Sequence, residues 1–291
     1  MKPDRCNWTR LALMVCMALV LTACSKGTAD LQAYIADVKS RPGPPLDPLP
    51  VMRQFETFDY AAQDLRDRVS RIRGELPDDI DDRVAAAMML KGMTAERLLH
   101  KTTSAAKGDT VLVHAAAGGV GQLLVAWAKA IGCTVIGTVG SQAKAAIARA
   151  RGADHVIVTD SEDVAARVDE ITGGKGCRYI YDGVGKDTFE VSLKAIAKYG
   201  HLVSFGNASG AVPPVNIALL APKCIALSRP QLFPYIADRG DLLEAAENLF
   251  AAIRQGIVEA EINHTYPLAE AADAHRALEA RKTTGQIILL P

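Results

Sequence analysis

The sequence has little that would suggest a metal centre, a disulfide framework or a nucleic-acid-binding protein. Six cysteines occur among 291 residues, none of them in a Cys-x-x-Cys pair, and the six histidines are not spaced like zinc ligands. Lysine and arginine number 33, as do aspartate and glutamate, so the formal net charge is zero and offers nucleic acid no electrostatic attraction. Hydrophobic residues make up 49% and charged residues 23%, which excludes collagen-like and wholly disordered chains.

The first 24 residues differ in character from the rest of the chain. Three basic residues lie among the first ten, and residues 11–21 (LALMVCMALVL) form an uncharged apolar run. Eleven residues span about 16 Å as a helix, which is too short for a hydrocarbon core of about 30 Å. The run therefore predicts a signal peptide rather than a membrane span. It ends in Leu21-Thr22-Ala23-Cys24, which resembles a bacterial lipobox. The resemblance implies a lipoprotein-type signal peptide over residues 1–23 and a lipidated Cys24, and the alternative is a start that is never processed.

Residues 24–72 form a second distinct segment. Five of the ten residues in RPGPPLDPLP (41–50) are prolines, which fix φ and lack an N–H donor, so this stretch predicts an extended, polyproline-like spacer. The stretches DLQAYIADVKSRP and PLP…ETFDY…LRD, together with the lipobox, resemble the N-terminal arm of PilP, the family of type IV pilus assembly lipoproteins. The resemblance implies a mostly extended arm that binds pilus-assembly proteins. A simple tether is the alternative.

From about residue 73 onwards, short apolar runs alternate with stretches of helical spacing. The runs TVLVH (110–114), TVIGTVG (134–140) and HVIV (155–158) predict buried strands, and RYIYDGVG and HLVSFG continue the pattern. Strands separated by helices of about 10–15 residues are typical of a parallel sheet with right-handed crossovers. The fold class is therefore predicted to be α/β, a doubly wound parallel sheet, preceded by the signal peptide and a mostly extended, Pro-rich arm.

The segment HAAAGGVG (114–121) follows a predicted strand and opens a predicted helix, which is the context of the Rossmann dinucleotide fingerprint. Ala116, Gly118 and Gly121 occupy the three glycine positions of G-x-G-x-x-G. Gly118 would let the backbone approach a pyrophosphate, Gly121 would let the helix pack closely on the strand, and the helix N-terminus would offer free N–H groups to phosphate. The sheet is thus predicted to be Rossmann-like, and a glycine-rich turn in another α/β protein is the alternative.

The end of the second strand favours NADPH over NADH. NAD-selective folds place an Asp or Glu about 20 residues after the fingerprint, where it binds the ribose 2′-OH. Here Gly140 stands nineteen residues after Gly121, followed by Ser141 and then Lys144. The missing carboxylate removes repulsion of a 2′-phosphate, and a hydroxyl and an ammonium would attract one. The alternative is that Lys144 is a solvated helix charge.

Several longer segments together resemble one enzyme family. They are LKGMTAERLLHKT, HAAAGGVGQLLVAWAKAIG, IGTVGSQAK, EITGGKG, YDGVGKDT and VSFGNASGAV, and they resemble the NADPH:quinone oxidoreductases, zinc-free members of the medium-chain dehydrogenase/reductase superfamily. The resemblance runs from about residue 75 to Pro291. It implies hydride transfer from NADPH to a quinone or similar carbonyl acceptor, and homodimers formed through a sheet edge, but it names no catalytic residue. The cofactor contacts that it implies are Gly118, Gly119, Val120 and Gly121 at the pyrophosphate, Gly140, Ser141 and Lys144 at the adenosine phosphate, Phe205, Gly206, Asn207 and Ala208 beside the nicotinamide with Gln231, Leu232 and Phe233 nearby, and Arg281 over the phosphates.

The sequence also departs from that family. Arg97 and Thr159 stand where tyrosines are common, and Gly183 stands where a serine is common. The family's catalytic domain is a GroES-like barrel, formed mostly by an N-terminal part that has no counterpart here. We therefore expect a Rossmann NADPH-binding domain over 73–257, and in 258–291 the C-terminal segment of an otherwise missing barrel, with QIILLP as a strand without its sheet. Four of the six histidines, His114, His201, His264 and His275, are interpreted as structural or surface residues. Cys133, Cys177 and Cys224 are interpreted as buried apolar residues.

The two halves predict different functions and compartments. The body predicts a cytoplasmic, zinc-independent NADPH:quinone oxidoreductase, truncated and either active or only cofactor-binding. The signal peptide and lipobox instead predict a membrane-anchored periplasmic lipoprotein. The alternative function is accordingly a pilus-assembly lipoprotein arm fused to a passenger domain. A chimera joined near residues 67–73 would account for both halves.

Overall fold

The computed structural model describes residues 76–280 and 283–290. The predicted signal peptide, Cys24, the Pro-rich arm and Arg281 lie outside the described residues. The chain divides into two compact units. The larger unit contains Met88–Glu261 and Thr284–Gln286, and the smaller contains Ile262–Thr283 and Ile287–Pro291, as far as they are described, with the described residues up to Ala87.

The larger unit is built on a six-stranded parallel sheet. Its strands are β1 (Thr110–Val113), β2 (Thr134–Val139), β3 (His155–Val158), β4 (Cys177–Asp182), β5 (Ile196–Ser204) and β6 (Ala226–Ser228). Their order is β3-β2-β1-β4-β5-β6, and every neighbouring pair is parallel. The order reverses direction between β1 and β4, which is the Rossmann arrangement and confirms the predicted fold class.

Helices precede, connect and follow these strands. They are α1 (Asp82–Arg97), α2 (Gly119–Ile131), α3 (Gln142–Ala150), α4 (Val164–Thr172), α5 (Phe189–Ala195), α6 (Leu232–Tyr235) and α7 (Arg239–Arg254), with a π-helical turn over Leu98–Thr102 and a 3-10 helix over Ile217–Lys223. The crossover helices begin and end at residues suited to those positions. The Asp163 side chain accepts a hydrogen bond from the Ala166 N–H at the start of α4, and Gly132 ends α2 with a left-handed φ of 97°.

The core of the larger unit lies on the sheet. Leu112 of β1 stands beside Ile136 of β2 and Ile180 of β4, and Ile180 stands beside Leu202 of β5, so one row of aliphatic side chains crosses four strands. All four are fully buried. Strands covered by helices on both faces need such continuous apolar runs, which is why their sequences read as strands.

Arg97, a departure from the family pattern, is buried and belongs to an ion cluster that reaches the surface at Glu244. Its guanidinium lies 3.0 Å from a Glu96 oxygen, 3.0 Å from a Glu244 oxygen, and donates a hydrogen bond to the Asp241 carbonyl. The Asn248 amide donates to the other Glu96 oxygen at 2.9 Å. The arginine thus ties the end of α1 to α7.

The smaller unit has its own two-stranded sheet. It contains β7 (Ile262–Pro267), a 3-10 turn (Leu268–Glu270), α8 (Ala271–Glu279) and β8 (Gln286–Leu290). The strands β7 and β8 pair with each other. The expectation that the final apolar strand lacks a sheet is therefore wrong, because β8 pairs with β7 along one edge. The expectation that Cys224 is buried is also wrong, since it is exposed, while Cys133 and Cys177 are buried.

Candidate functional site

The predicted cofactor residues of the larger unit gather along one edge of its sheet. Residues 118–121 follow β1, Gly140 and Ser141 follow β2, residues 205–208 follow β5, and residues 231–233 follow β6. The carboxyl ends of parallel strands meet at the same edge, and ligands of such sheets bind where the strand order reverses. The turn after β1 lies at that reversal. Arg281 is outside the described residues.

The turn from β1 to α2 brings backbone against backbone. Ala115 turns the chain with a φ of 51°. A Cβ on Gly121 would lie 2.2 Å from the Ala115 carbonyl oxygen, and one on Gly118 would lie 3.1 Å from the same atom. Gly118 precedes the helix without a side-chain cap, so by helix geometry the first N–H groups of α2 lack intrahelical acceptors. Such a cradle fits the phosphates of a dinucleotide.

His114, the residue before this turn, links it to β2 and α5. It is buried, with Nδ1 3.0 Å from Thr138 Oγ1 and Nε2 2.9 Å from Ser192 Oγ. Since Ser192 donates its hydroxyl hydrogen to the Thr188 carbonyl at 2.8 Å, it accepts from Nε2–H, and Nδ1 accepts from Thr138. Burial lowers the pKa of His114 below its usual value, despite the opposing effect of the Asp182 carboxylate. The ring is therefore a neutral structural link, as expected from the sequence.

The neutral state of His114 predicts loss of stability in acid. The folded chain binds a proton at His114 less readily than the unfolded chain does, so the free energy of unfolding should fall as the pH drops below about 6.5, by up to about 1.4 kcal/mol per pH unit. Urea unfolding measured at several pH values gives the slope of the free energy of unfolding against pH. In His114→Gln this slope should be smaller than in the wild type by up to about 1.4 kcal/mol per pH unit, the contribution of one proton. Equal slopes in wild type and His114→Gln would contradict the assignment.

The fully buried Asp182 organises the loop after β4. Its Oδ1 accepts hydrogen bonds from the N–H groups of Val184 and Gly185 at 2.8 and 3.0 Å and from the Thr188 hydroxyl at 2.8 Å. Its backbone carbonyl accepts from the Phe205 N–H at 2.8 Å. One aspartate thus sets both the loop after β4 and the start of the loop after β5.

Those two loops touch through glycines. A Cβ on Gly206 would lie 2.4 Å from the Gly183 carbonyl oxygen, and one on Gly185, whose φ is +93°, would lie 2.7 Å from the Gly210 carbonyl oxygen. A Cβ on Gly183 would lie 2.9 Å from the tip of the Phe205 ring. The ring therefore lies against the position where the family commonly has a serine side chain.

On the other side of β1, the end of β2 is open. Ser141 precedes α3, and Lys144 lies in the first turn of that helix, with its N–H donating to the Ser141 carbonyl at 3.0 Å. The Thr159 N–H donates to the Val139 carbonyl at 2.9 Å and holds the loop after β3 against the end of β2. The only neighbour that a Cβ on Gly140 would meet within 4 Å is Asp160 Oδ1, at 3.9 Å. A carboxylate therefore lies near the end of β2, although the sequence has no Asp or Glu at the position about 20 residues after the fingerprint.

Beyond β6, Gln231 precedes the short helix α6, which begins with Leu232 and Phe233. Phe233 is about half exposed. A shallow depression of about 330 Å³ here is lined by Arg229, Pro230, Gln231, Pro234 and Tyr235. The Tyr235 hydroxyl lies 3.2 Å from Thr102 Oγ1, which fixes this rim to the turn after α1.

Lys91 is a site neighbour that the sequence reasoning did not single out. Its ammonium donates to the Gln286 side-chain oxygen, and the Gln286 amide donates to the Gly119 carbonyl at 3.3 Å. A Cβ on Gly119 would lie 3.0 Å from the Lys91 Nζ. Burial lowers the pKa of Lys91 to about 8. The segment LKGMT contributed to the family resemblance, but nothing in its spacing indicates that its lysine reaches α2.

The described residues offer neither a metal-binding cluster nor a membrane-spanning helix. No three His, Cys, Asp or Glu side chains within 76–280 and 283–290 are grouped so that they could hold a metal ion. Within the same ranges, no helix has the length and apolar character needed to cross a membrane.

Comparison with known proteins gives consistent matches. The profile of the family described as zinc-binding dehydrogenase matches residues 119–238. A quinone oxidoreductase of Pseudomonas aeruginosa is 51% identical over 218 residues, covering 74% of this chain and 67% of that protein. A 2-haloacrylate reductase of a Burkholderia species is 43% identical over 73% of this chain and 65% of its own length. The crystal structure of the Escherichia coli quinone oxidoreductase complexed with NADPH is 45% identical and superposes with a TM-score of 0.72, covering 74% of this chain and 67% of that one.

The chain thus spans about two thirds of the length of these relatives. None of these matches supports the resemblance of residues 24–72 to the pilus-assembly arm.

Proposed function

We propose that this chain binds NADPH and transfers a hydride from it to a quinone. The basis is its family, because the chain belongs to the quinone oxidoreductases of the zinc-binding dehydrogenase superfamily. The observation that carries the proposal is the backbone cradle at the β1–α2 turn, where only glycine fits at position 121. The similarity to a protein of known structure supports it: over 74% of its length this chain is 45% identical to a relative whose crystal structure is a complex with NADPH.

We propose that the cofactor lies along the carboxyl edge of the sheet. The N–H groups of residues 119–121 at the start of α2 would receive the pyrophosphate, which would approach over Gly118, whose own N–H donates to the Ala115 carbonyl. Gly140, Ser141 and Lys144 would receive the adenosine phosphate. Residues 205–208 would border the nicotinamide, with residues 231–233 nearby and Arg281 closing over the phosphates. Bound NADPH supplies a hydride from its nicotinamide ring. The described residues contribute binding and orientation, and we assign none of them a catalytic role.

A charge reversal at Lys144 tests the proposal. NADPH and NADH are titrated into the full chain and binding is followed by fluorescence. We expect NADPH to bind more tightly, and Lys144→Glu to lower the NADPH-to-NADH affinity ratio by about tenfold or more, because a 2′-phosphate meets repulsion instead of attraction. Lys175→Glu reverses an exposed charge in the loop before β4, at the opposite edge of the sheet, and should leave the ratio unchanged. An unchanged ratio in Lys144→Glu would refute the role of that lysine, and absence of binding would refute the proposal.

Turnover is tested separately from binding. The chain spans about two thirds of its relatives' length, so turnover needs its own test. The full chain is mixed with NADPH and a benzoquinone, and a fall in NADPH absorbance would show that it is active. Binding without turnover would identify a cofactor-binding protein.

We also propose an organisation for the chain. Residues 73–257 would form the cofactor-binding domain, and 258–291 would belong to the counterpart of the relatives' second domain. A homodimer would form at the edge of the described sheet that β6 occupies, and the 3-10 helix before β6 offers it two exposed apolar side chains, Ile217 at 80% and Leu219 at 55%. The lipid-anchored pilus-assembly alternative is not favoured, because the similarity to oxidoreductases covers 74% of the chain.

A further inference from the structure

A carboxylate from a neighbouring loop stands at the end of β2. Asp160 Oδ1 lies 3.9 Å from the position that a Cβ on Gly140 would occupy. The loop that carries Asp160 is held there by the hydrogen bond from the Thr159 N–H to the Val139 carbonyl. Asp160 is exposed, so its oxygens are accessible to a ligand at this edge.

The position matters because of what NAD-selective folds place there. Their acidic residue lies at the end of the second strand. Its carboxylate accepts a hydrogen bond from the ribose 2′-OH and repels a 2′-phosphate. Here Gly140 has no side chain at that point, and the carboxylate arrives from beyond the next strand. Its chemistry is the same although its place in the sequence is twenty residues later.

We propose that Asp160 is a specificity-determining residue that opposes Lys144 and narrows the preference for NADPH over NADH. Lys144 attracts the 2′-phosphate, whereas Asp160 repels it and accepts a hydrogen bond from the ribose hydroxyl of NADH. Both cofactors therefore bind, with a smaller difference in affinity than Lys144 alone would produce. This inference rests on the proposed binding of a dinucleotide at the edge of the sheet.

Asp160→Asn tests the inference in the full chain. The substitution keeps the size of the side chain and removes its charge, so the NADPH-to-NADH affinity ratio should rise by about five- to tenfold at low ionic strength. The matched control is Asp169→Asn, which removes the same charge near the end of α4. Because that helix leads into the start of β4, Asp169 lies towards the opposite edge of the sheet, and its loss should leave the ratio unchanged.

Ionic strength separates charge from packing. The gain in the ratio should shrink in high salt if it arises from repulsion between Asp160 and the 2′-phosphate. A ratio equal to wild type, with both cofactors still binding, would overturn this inference and leave the proposed function intact. Failure of the wild-type chain to bind either cofactor would overturn both.

Discussion

Gly121→Ala should abolish most cofactor binding and destabilise the larger unit. The new Cβ would lie 2.2 Å from the Ala115 carbonyl oxygen and 3.0 Å from the Ala116 Cα, and backbone atoms cannot rotate away as a side chain can. Either the turn opens or α2 moves off β1, so the first N–H groups of α2 no longer face one point. We expect the free energy of unfolding to fall by about 2–3 kcal/mol and the Kd for NADPH to rise by about 100-fold.

Gly240→Ala is the matched control for this substitution. Gly240 lies in the first turn of α7, and a Cβ there would meet nothing within 4 Å. Alanine is the better helix former, so Gly240→Ala should stabilise the chain by up to about 1 kcal/mol and leave NADPH binding unchanged. Urea unfolding and fluorescence titration of both variants provide the measurement. Normal NADPH affinity in Gly121→Ala would show that the turn is not the phosphate cradle.

Asp182→Ala should be the most destabilising single change among the polar residues of the candidate site. It leaves the buried N–H of Gly185 and the partly buried N–H of Val184 without their acceptor and removes the partner of the Thr188 hydroxyl. Each buried donor left unpaired costs about 1–3 kcal/mol, so the free energy of unfolding should fall by about 3–5 kcal/mol. Thermal or urea unfolding measures this directly.

Asp187→Ala provides the comparison, because Asp187 lies exposed in the same loop and only its backbone N–H is used, donating to Ser209 Oγ. Its loss should change stability by less than about 0.5 kcal/mol. Asp182→Asn should fall between the two, since an amide oxygen can still accept from both backbone N–H groups. A similar loss from Asp187→Ala and Asp182→Ala would contradict the role of the buried carboxylate.

The elements predicted best are those whose sequence is decided by burial. The strand predicted over HVIV coincides with β3, and the runs at 110–114 and 134–140 each extend one residue beyond β1 and β2. The glycines of the fingerprint were recognisable because steric exclusion leaves no other residue at position 121. Local pattern is sufficient where the cause is local.

The start of β5 was mispredicted for the opposite reason. The spacing of the sequence predicts a helix near residues 187–198, but the helix ends at Ala195 and residues 196–198 already belong to the strand. Pairing of Ile196 with Cys177 of β4 overrides that spacing, at the expense of a register shift and a positive φ at Tyr199. A single sequence contains no signal for such long-range pairing.

The same limit applies to the site. Lys91 reaches Gln286 across 195 positions of sequence, and Asp160 reaches Gly140 from the next strand along. Spacing rules find residues that a motif holds at a fixed interval. They cannot find charges that tertiary structure brings to the same place.

The strand order also governs how a nascent chain acquires this structure. The strand β1 lies at the centre of the finished sheet, yet its neighbour β4 and the Ser192 partner of His114 emerge from the ribosome later, Ser192 by 78 residues. The residues of β4 follow their β1 partners by 68 positions, as Tyr179 follows Val111. At about 5–20 residues per second, this edge of β1 stays open for roughly 3–14 s. During that interval the unpaired N–H and C=O groups of this edge, flanked by apolar side chains, are available to other chains. We therefore expect the half-made protein, rather than the finished one, to be the form that depends on chaperones.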